Sequence, residues 1–208
     1  KSTIAGLLSG KNKGYQGSIQ FGGTELSRIP ERELMAYITV VTHNSYLWKG
    51  TVEENLRMAK PEATAEEMRA ALKKVNLLAF LDTQQGFETP LTENAGNLSG
   101  GQKPRLALAR ALLHDPPVYI FDEATSNIDM ESEEMIMEVI RELAKTKTVL
   151  LISHRLANVV DSDCIFMLEK GRIAEAGTHG ELMRLKGSYY ELYESQRKLE
   201  AYTKEADL

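Results

Sequence analysis

The stretch Val118-Tyr119-Ile120-Phe121-Asp122-Glu123 decides the fold class of this chain. Four consecutive apolar residues predict a strand that is buried on both faces, and two carboxylates follow at its carboxyl end. Apolar side chains then recur at helical spacing over Glu131–Lys145, which predicts an amphipathic helix. Thr148–Ser153 is a second apolar run and predicts a second buried strand. A strand, a helix and another strand form a βαβ unit, so the core is predicted to be a parallel sheet with helices on its faces.

Working outward, the rest of the chain adds further helices and a small antiparallel portion. Thr64 is a predicted helix N-cap with Glu67 as its capping-box partner. Asp115-Pro116-Pro117 is predicted to end the preceding helix. The other predicted elements are a helix at Ser2–Leu8, strands at Ser18–Phe21 and Ile38–Thr42, a helix at Ser99–His114, and a hairpin of Cys164–Leu168 and Arg172–Ala176.

Composition excludes several classes of protein. The 208 residues suit a single domain, and 42% apolar with 26% charged residues is ordinary for a globular chain, which argues against disorder. Cys164 is the single cysteine, so an internal disulfide is impossible and a reducing compartment is expected. Lys and Arg total 25 against 30 Asp and Glu, a net charge of −5, which argues against nucleic acid as a partner.

Asp122 and Glu123 form the first chemical motif. They lie at the carboxyl end of a predicted buried strand, where open α/β sheets bind ligands. An Asp at such a position commonly holds Mg²⁺, directly or through water, and a following Glu can polarise an attacking water. The alternative is a strand that ends in two solvated acids.

The stretch Leu98-Ser99-Gly100-Gly101-Gln102 forms the second motif, at the predicted start of a helix. Two glycines and a serine at a helix N-terminus expose backbone N–H groups that a phosphate can approach closely. The alternative is a flexible turn with a serine N-cap.

Two further features are weaker alone. Lys1-Ser2-Thr3 heads a predicted helix, as in the P-loop pattern, where the lysine reaches the β- and γ-phosphates and the hydroxyl binds Mg²⁺. An exposed N-terminal turn is the alternative. His154 follows the predicted strand Thr148–Ser153 and is a candidate for binding a terminal phosphate oxygen, while a structural histidine is the alternative.

Taken together, these motifs resemble the nucleotide-binding domain of an ABC transporter over nearly the whole chain. The resemblance implies an α/β fold of the P-loop NTPase (RecA-like) type, with a parallel-sheet core, a helical signature subdomain and a small antiparallel β portion. The matching segments are Lys1–Thr3 with the end of Walker A, Leu98–Gln102 with the ABC signature, Val118–Asp122 and Glu123 with Walker B and its catalytic glutamate, Ser126–Asp129 with the D-loop, and His154 with the H-loop.

Finer features resemble the exporter branch. These are Gly50–Leu56 after the Q-loop, Glu93 in the X-loop and Gly171–His179 near the C-terminal end. The resemblance implies one ABC ATPase domain over 1–208, with a core lobe of 1–44 and 115–208 and a helical lobe of 45–114. It also implies a membrane domain upstream, and a first strand and P-loop glycines before Lys1, so that the chain is expected to be a fragment.

The implied activity is ATP hydrolysis that drives export at the cytoplasmic face of a membrane. The implied partners are a second nucleotide-binding domain, paired head to tail around ATP, and the coupling helices of the membrane domain. The implied catalytic residues are Glu123 and His154, and the implied Mg²⁺ ligands are Ser2 and Asp122. The implied ATP-binding residues are Lys1, Ser2, Thr3, His43, Ser99, Gly100, Gly101, Gln102 and Asp129.

Two departures leave alternatives open. His43 stands where the family has the Q-loop glutamine, and an imidazole is a poorer ligand for Mg²⁺ than an amide oxygen. Pro104 stands just inside the signature helix, where it removes one backbone donor. A degenerate regulatory subunit of a heterodimeric transporter, with weak turnover, is therefore an alternative. A soluble ABC ATPase of DNA repair or translation is a further one.

Overall fold

The structure is a computed structural model that describes residues 1–206. The chain forms two compact units, one spanning Ser2–Ile152 and one containing Lys1 and the chain from Ser153 onward. The helices and strands of the larger unit are α1 (Ser2–Leu8), β1 (Gln20–Phe21), β2 (Thr24–Glu25), α2 (Glu31–Tyr37), β3 (Ile38–Thr42), β4 (Gly50–Thr51), α3 (Val52–Arg57), α4 (Ala65–Lys74), α5 (Leu78–Asp82), β5 (Pro90–Leu91), α6 (Gln102–His114), β6 (Val118–Asp122), α7 (Met130–Ala144) and β7 (Thr148–Ile152).

A parallel sheet forms the centre of the larger unit, which confirms the predicted sheet type. Its strands lie in the order β3, β6, β7, and Asp122 at the end of β6 is in register with Thr42 and with Ile152. The prediction that Thr148–Ser153 is a buried strand was right about the strand and wrong about its burial. Thr148 is exposed and Leu150 is only half-buried, because β7 lies at the edge of this sheet while β6 lies between two neighbours.

Side chains of β6 alternate between two apolar clusters, one on each face of the sheet. Tyr119 and Phe121 belong to the larger cluster, which the helices α3 to α7 complete. Ile120 belongs to the smaller cluster, together with Ala5 of α1 and Leu34 of α2. Helices therefore cover both faces, as expected for a parallel sheet.

Local sequence signals fix several helix boundaries. The predicted capping box is present, since the Thr64 hydroxyl accepts the Glu67 N–H and the Glu67 carboxylate accepts the Thr64 N–H. At α7, the Asp129 carboxylate accepts the Ser132 N–H at 2.8 Å. Pro104 is the third residue of α6, where its missing N–H has no partner within the helix in any case, so proline is tolerated there.

Two boundaries differ from the prediction. α6 begins at Gln102 rather than Ser99, and reciprocal hydrogen bonds join Ser99 to this first helical residue across the turn before it. β1 begins at Gln20 rather than Ser18, because the N–H of Ile19 donates to the Glu25 carboxylate at 3.1 Å instead of to a neighbouring strand.

The smaller unit contains β8 (Ile165–Glu169), β9 (Arg172–Gly177), α8 (His179–Leu185) and α9 (Ser188–Ala206). β8 and β9 form an antiparallel hairpin, as predicted, with a bulge between Met167 and Leu168. Both turn residues, Lys170 and Gly171, have positive φ, which a two-residue hairpin turn of this hand requires. The predicted division into core and helical lobes stays a prediction.

Over residues 1–206, none of the helices combines the length and hydrophobicity that a transmembrane helix requires.

Candidate functional site

The carboxyl edge of the parallel sheet brings together residues from two neighbouring strands. Asp122 ends β6 and Glu123 follows it, with φ of 54° and its N–H donating to the Ile152 carbonyl at 3.0 Å. A positive φ is unfavourable for a residue with a side chain, so this backbone bond to β7 helps to hold Glu123 in its turn. Such strained positions cluster at functional sites in proteins.

Asp122 carries a buried oxygen whose chemistry suits a cation. Among the described residues, its Oδ1 has no hydrogen-bond partner. A buried carboxylate oxygen without a donor is costly, and a bound metal ion removes that cost.

The carboxylate of Asp122 fits Mg²⁺ as a ligand. No group of three or more His, Cys, Asp or Glu side chains in residues 1–206 is arranged to hold a metal ion. Mg²⁺ typically uses one or two carboxylates, with waters and substrate phosphates completing its octahedron. A single orphaned carboxylate oxygen is therefore suited to Mg²⁺ that arrives with a phosphate substrate.

His43 follows β3 at the same edge of the sheet. Thr42 is in register with Asp122, and adjacent strands lie about 4.8 Å apart. A turn fixes the backbone here, since the Thr42 N–H donates to the Ser45 hydroxyl at 3.0 Å. His43 itself is exposed, so its ring is accessible to a ligand from solvent.

Ser2 and Thr3 open α1, and both are exposed. Ala5, one turn later, is buried in the cluster that also contains Ile120 and Ile152. The start of α1 is therefore anchored against the same sheet that carries Asp122.

The Ser99–Gln102 loop is held by reciprocal hydrogen bonds. The Ser99 N–H donates to the Gln102 Oε1 at 2.9 Å, and the Gln102 N–H donates to the Ser99 hydroxyl at 3.2 Å. Gly100 between them is exposed, and no atom lies within 4 Å of where a Cβ would be. The loop is thus ordered while its glycine backbone stays open to a ligand.

Gly101, unlike Gly100, has no room for a side chain, which the sequence analysis did not predict. A Cβ at this position would lie 2.7 Å from the Cβ of Ser132 and 2.8 Å from the Oδ2 of Asp129. The signature loop therefore packs directly against the first turn of α7. Hydrogen bonds from the Ser132 backbone and hydroxyl hold the pKa of Asp129 below its usual value, so this carboxylate stays ionised at the contact.

Arg105 braces the same loop from within α6. Its Nε donates to the Gly101 carbonyl at 3.1 Å, and its Nη1 donates to the Asn76 carbonyl at 3.0 Å. No local sequence pattern predicts this contact, because Asn76 lies 29 residues away along the chain.

In the smaller unit, the structure brings Lys1 and His154 together. The Lys1 Nζ lies 3.3 Å from the His154 Nδ1. The His154 carbonyl accepts from the Gln196 side chain at 2.7 Å, and the Gln196 Oε1 accepts the Leu156 N–H at 2.9 Å. Gln196, on α9, therefore fixes the backbone around His154, a role that sequence analysis missed.

The candidate residues thus fall into three groups. Asp122, Glu123 and His43 share the sheet edge, Ser99–Gln102 joins Asp129, and Lys1 joins His154.

Comparison with known proteins places the chain in one family. The family model described as ABC transporter matches residues 1–126. An uncharacterized ABC transporter ATP-binding protein of Haemophilus influenzae is 49% identical over 200 residues, which cover 96% of this chain and 36% of that protein. The ATP-dependent lipid A-core flippase of Desulfotalea psychrophila is 37% identical over 94% of this chain and 34% of its own length.

A solved structure agrees with the sequence relatives. A bacterial Atm1-family ABC exporter with ATP bound matches with a TM-score of 0.88 and 36% identity, over 94% of this chain and 34% of that one. The chain spans about a third of the length of the relatives it matches. The fold class and the exporter resemblance are therefore confirmed.

Proposed function

Because the chain belongs to the ABC transporter family, we propose that it is the ATP-binding and ATP-hydrolysing motor domain of an exporter. The observation that supports hydrolysis best is the buried, unpartnered Oδ1 of Asp122, with Glu123 directly after it at the carboxyl edge of a parallel sheet. This pairs a candidate Mg²⁺ ligand with a candidate base at the place where α/β sheets bind ligands.

In this proposal, the chain's own groups bind the triphosphate and direct the attacking water. The Lys1 ammonium and the Ser2 and Thr3 hydroxyls bind phosphate oxygens. Asp122 and Ser2 would hold Mg²⁺, which would supply positive charge to the triphosphate. The Glu123 carboxylate accepts a hydrogen bond from the water and takes its proton as the new P–O bond forms.

Two imidazoles act beside these groups in the proposal. His154 donates a hydrogen bond to a γ-phosphate oxygen, on which negative charge develops. His43 orients the water by hydrogen bonding. The Gln196 bond to the His154 carbonyl would keep that loop in place during the reaction.

The Ser99–Gln102 loop serves the ATP of a second domain in the proposal. The Ser99 hydroxyl, the open backbone at Gly100, the Gly101 backbone and the Gln102 side chain bind the γ-phosphate presented by the partner. Two domains therefore pair head to tail around two ATP molecules, with Asp129 near the junction. ATP favours the closed pair and hydrolysis weakens it, which is a ligand-driven population shift.

The proposed motor works at the cytoplasmic face of a membrane, against coupling helices of a membrane domain. A contact within the larger unit supports this partner. The Tyr46 hydroxyl donates to the Glu93 carboxylate, which joins the segment after β3 to the predicted X-loop. Both residues are exposed, so a partner can reach them together.

Steady-state ATP hydrolysis by the intact protein tests the proposed function. We expect Glu123→Gln to lower turnover by at least about a hundredfold, because the amide cannot accept the proton of water. Glu138→Gln is the matched control, since Glu138 is an exposed glutamate on α7, and it should keep the parental rate. Unchanged turnover in Glu123→Gln would refute the catalytic assignment.

A second candidate function rests on His43. In a degenerate subunit of a heterodimeric transporter, the domain would bind ATP tightly and turn it over slowly. This regulatory role would be favoured if the parent protein bound ATP tightly but hydrolysed it as slowly as the Glu123→Gln variant does.

A further inference from the structure

The first turn of α7 carries a glutamate at a position that faces the core. Glu133 lies on the helical stripe that continues with Ile136, Met137 and Ile140, and these three residues are buried in the larger apolar cluster. Glu133 itself is only 5% exposed. An apolar side chain is expected at such a position, since burying a carboxylate costs free energy unless other groups compensate. The glutamate therefore breaks the pattern of its helix, and departures of this kind occur at functional sites.

Two features compensate for the burial of this carboxylate. Glu133 lies in the first turn of α7, where the helix dipole favours negative charge. The Thr125 hydroxyl donates to the Glu133 Oε1 at 3.4 Å. This distance is long for a hydrogen bond between two oxygens, but the low dielectric around a buried carboxylate strengthens the contact. The Glu133 carboxylate therefore links α7 to the segment that follows β6.

Thr125 lies within a tight turn that begins at Glu123. The Ser126 N–H donates to the Glu123 carbonyl at 3.0 Å, which closes the turn. Glu123 and Asn127 both have positive φ, of 54° and 62°. A segment with such strained residues persists only when its surroundings hold it. β7 holds the start of this turn through a backbone bond to Glu123, and Glu133 holds its middle through Thr125.

We propose that Glu133 is a positioning residue for ATP hydrolysis, which holds Thr125 and thereby the turn that carries Glu123. The inference rests on the proposed function, in which the Glu123 carboxylate accepts the proton of the attacking water. A general base works only within hydrogen-bond reach of that proton, so a small shift of the turn withdraws it. Glu133 thus raises the rate of hydrolysis without touching ATP.

Two other roles for Glu133 make different predictions. A direct catalytic role requires access to ATP, and burial on the core face of α7 argues against that access. A purely structural role requires that loss of the carboxylate lowers stability. Replacing buried charged groups by apolar side chains of similar volume is instead often neutral or stabilising. The positioning role therefore predicts slower hydrolysis at an unchanged or higher melting temperature.

Steady-state ATP hydrolysis and the melting temperature of the intact protein test the inference together. Glu133→Met removes the acceptor and retains a side chain of similar length. We expect kcat to fall about tenfold, because small misplacements of reacting groups cost large factors in rate. The KM for ATP should not change, and the melting temperature should not fall. Glu134→Met is the matched control, since Glu134 is the exposed neighbour on α7, and it should keep the parental kcat.

The same contact can be removed from its other end. Thr125→Val replaces the hydroxyl by a methyl group and should lower kcat as much as Glu133→Met does. The double variant should show no further loss, since both substitutions remove one contact. Thr125→Ser keeps the hydroxyl and should recover most of the rate. If Glu133→Met does not fold, the comparison of Thr125→Val with Thr125→Ser carries the same test.

The Glu123→Gln variant separates this inference from the proposed function. In that background, measured in a single turnover, Glu133→Met should cause no further loss, because the base that it positions is already gone. Parental turnover in Glu123→Gln would refute the proposed function. Slow turnover in Glu123→Gln with a parental kcat in Glu133→Met would refute the positioning role alone.

Three further results would overturn the positioning role. They are equal rates for Thr125→Val and Thr125→Ser, a raised KM at the parental kcat in Glu133→Met, and a further loss when Glu133→Met is added to Glu123→Gln.

Discussion

At the scale of single residues, the predicted role of His43 at the edge of the sheet can be tested directly. It lies at the end of β3, in the position that follows the in-register pair Thr42 and Asp122. We expect His43→Gln to raise steady-state ATP hydrolysis severalfold, because an amide oxygen is a better ligand for Mg²⁺ than an imidazole nitrogen. His43 is exposed, so the exchange should not disturb the fold.

His43→Ala is the informative control for this exchange. Alanine supplies neither an oxygen nor a ring nitrogen, so its turnover should fall below that of the parent if the imidazole orients water. Hydrolysis by His43→Gln at a rate lower than the parent would contradict the expectation.

At the scale of secondary-structure elements, the contact between the Ser99–Gln102 loop and α7 is the feature that sequence analysis did not foresee. We expect Gly101→Ala to lower the melting temperature of the domain. The added methyl group would overlap Ser132 and Asp129, and overpacking of this kind costs about 1–3 kcal/mol. Backbone strain does not contribute, since Gly101 has φ of −84° and ψ of −31°, which alanine adopts readily.

The neighbouring glycine provides a matched control within the same loop. Gly100→Ala places its methyl group in open space and should leave the melting temperature unchanged, whatever it does to activity. Combining Gly101→Ala with Ser132→Gly removes the overlapping side chain and should recover part of the loss. Equal melting temperatures for the two alanine variants would show that the loop does not pack on α7 as described.

At the scale of the whole molecule, local patterns predicted the sheet and most of its helices, while long-range contacts were beyond sequence analysis. Consecutive apolar residues identified β6, and a capping box placed the start of α4. The edge position of β7 depends on strand order, which an apolar run does not encode. The bond between Gln196 and the His154 carbonyl joins residues 42 apart, and glutamine on a charged helix gives no sign of it.

The candidate site shows the same difference between local sequence patterns, which can be predicted, and long-range contacts, which cannot. The acids after β6 and the glycines before α6 were recognisable because their chemistry is concentrated in consecutive residues. The packing role of Gly101 became visible only with the fold, because it depends on neighbours from a different element.

The largest-scale expectation is that ATP holds two copies of the domain together. Ser99 and Gly100 are exposed, and no atom lies within 4 Å of where a Cβ on Gly100 would be. A phosphate bound to a second domain can therefore reach them. With Glu123→Gln to prevent hydrolysis, ATP and Mg²⁺ should therefore shift the pair toward the closed state. Lys1→Ala in the same background should abolish that shift, because the lysine charge on the phosphates is lost.

Electron spin resonance can measure this shift through Cys164, which is exposed and is the single cysteine of the 208 residues. A spin label there, with cysteines elsewhere in the intact protein replaced, reports the distance between the two copies. We expect a new, narrow distance population on adding ATP and Mg²⁺ to the Glu123→Gln protein. A distribution that ATP leaves unchanged, in protein shown to bind ATP, would exclude nucleotide-driven pairing as the working step of this domain.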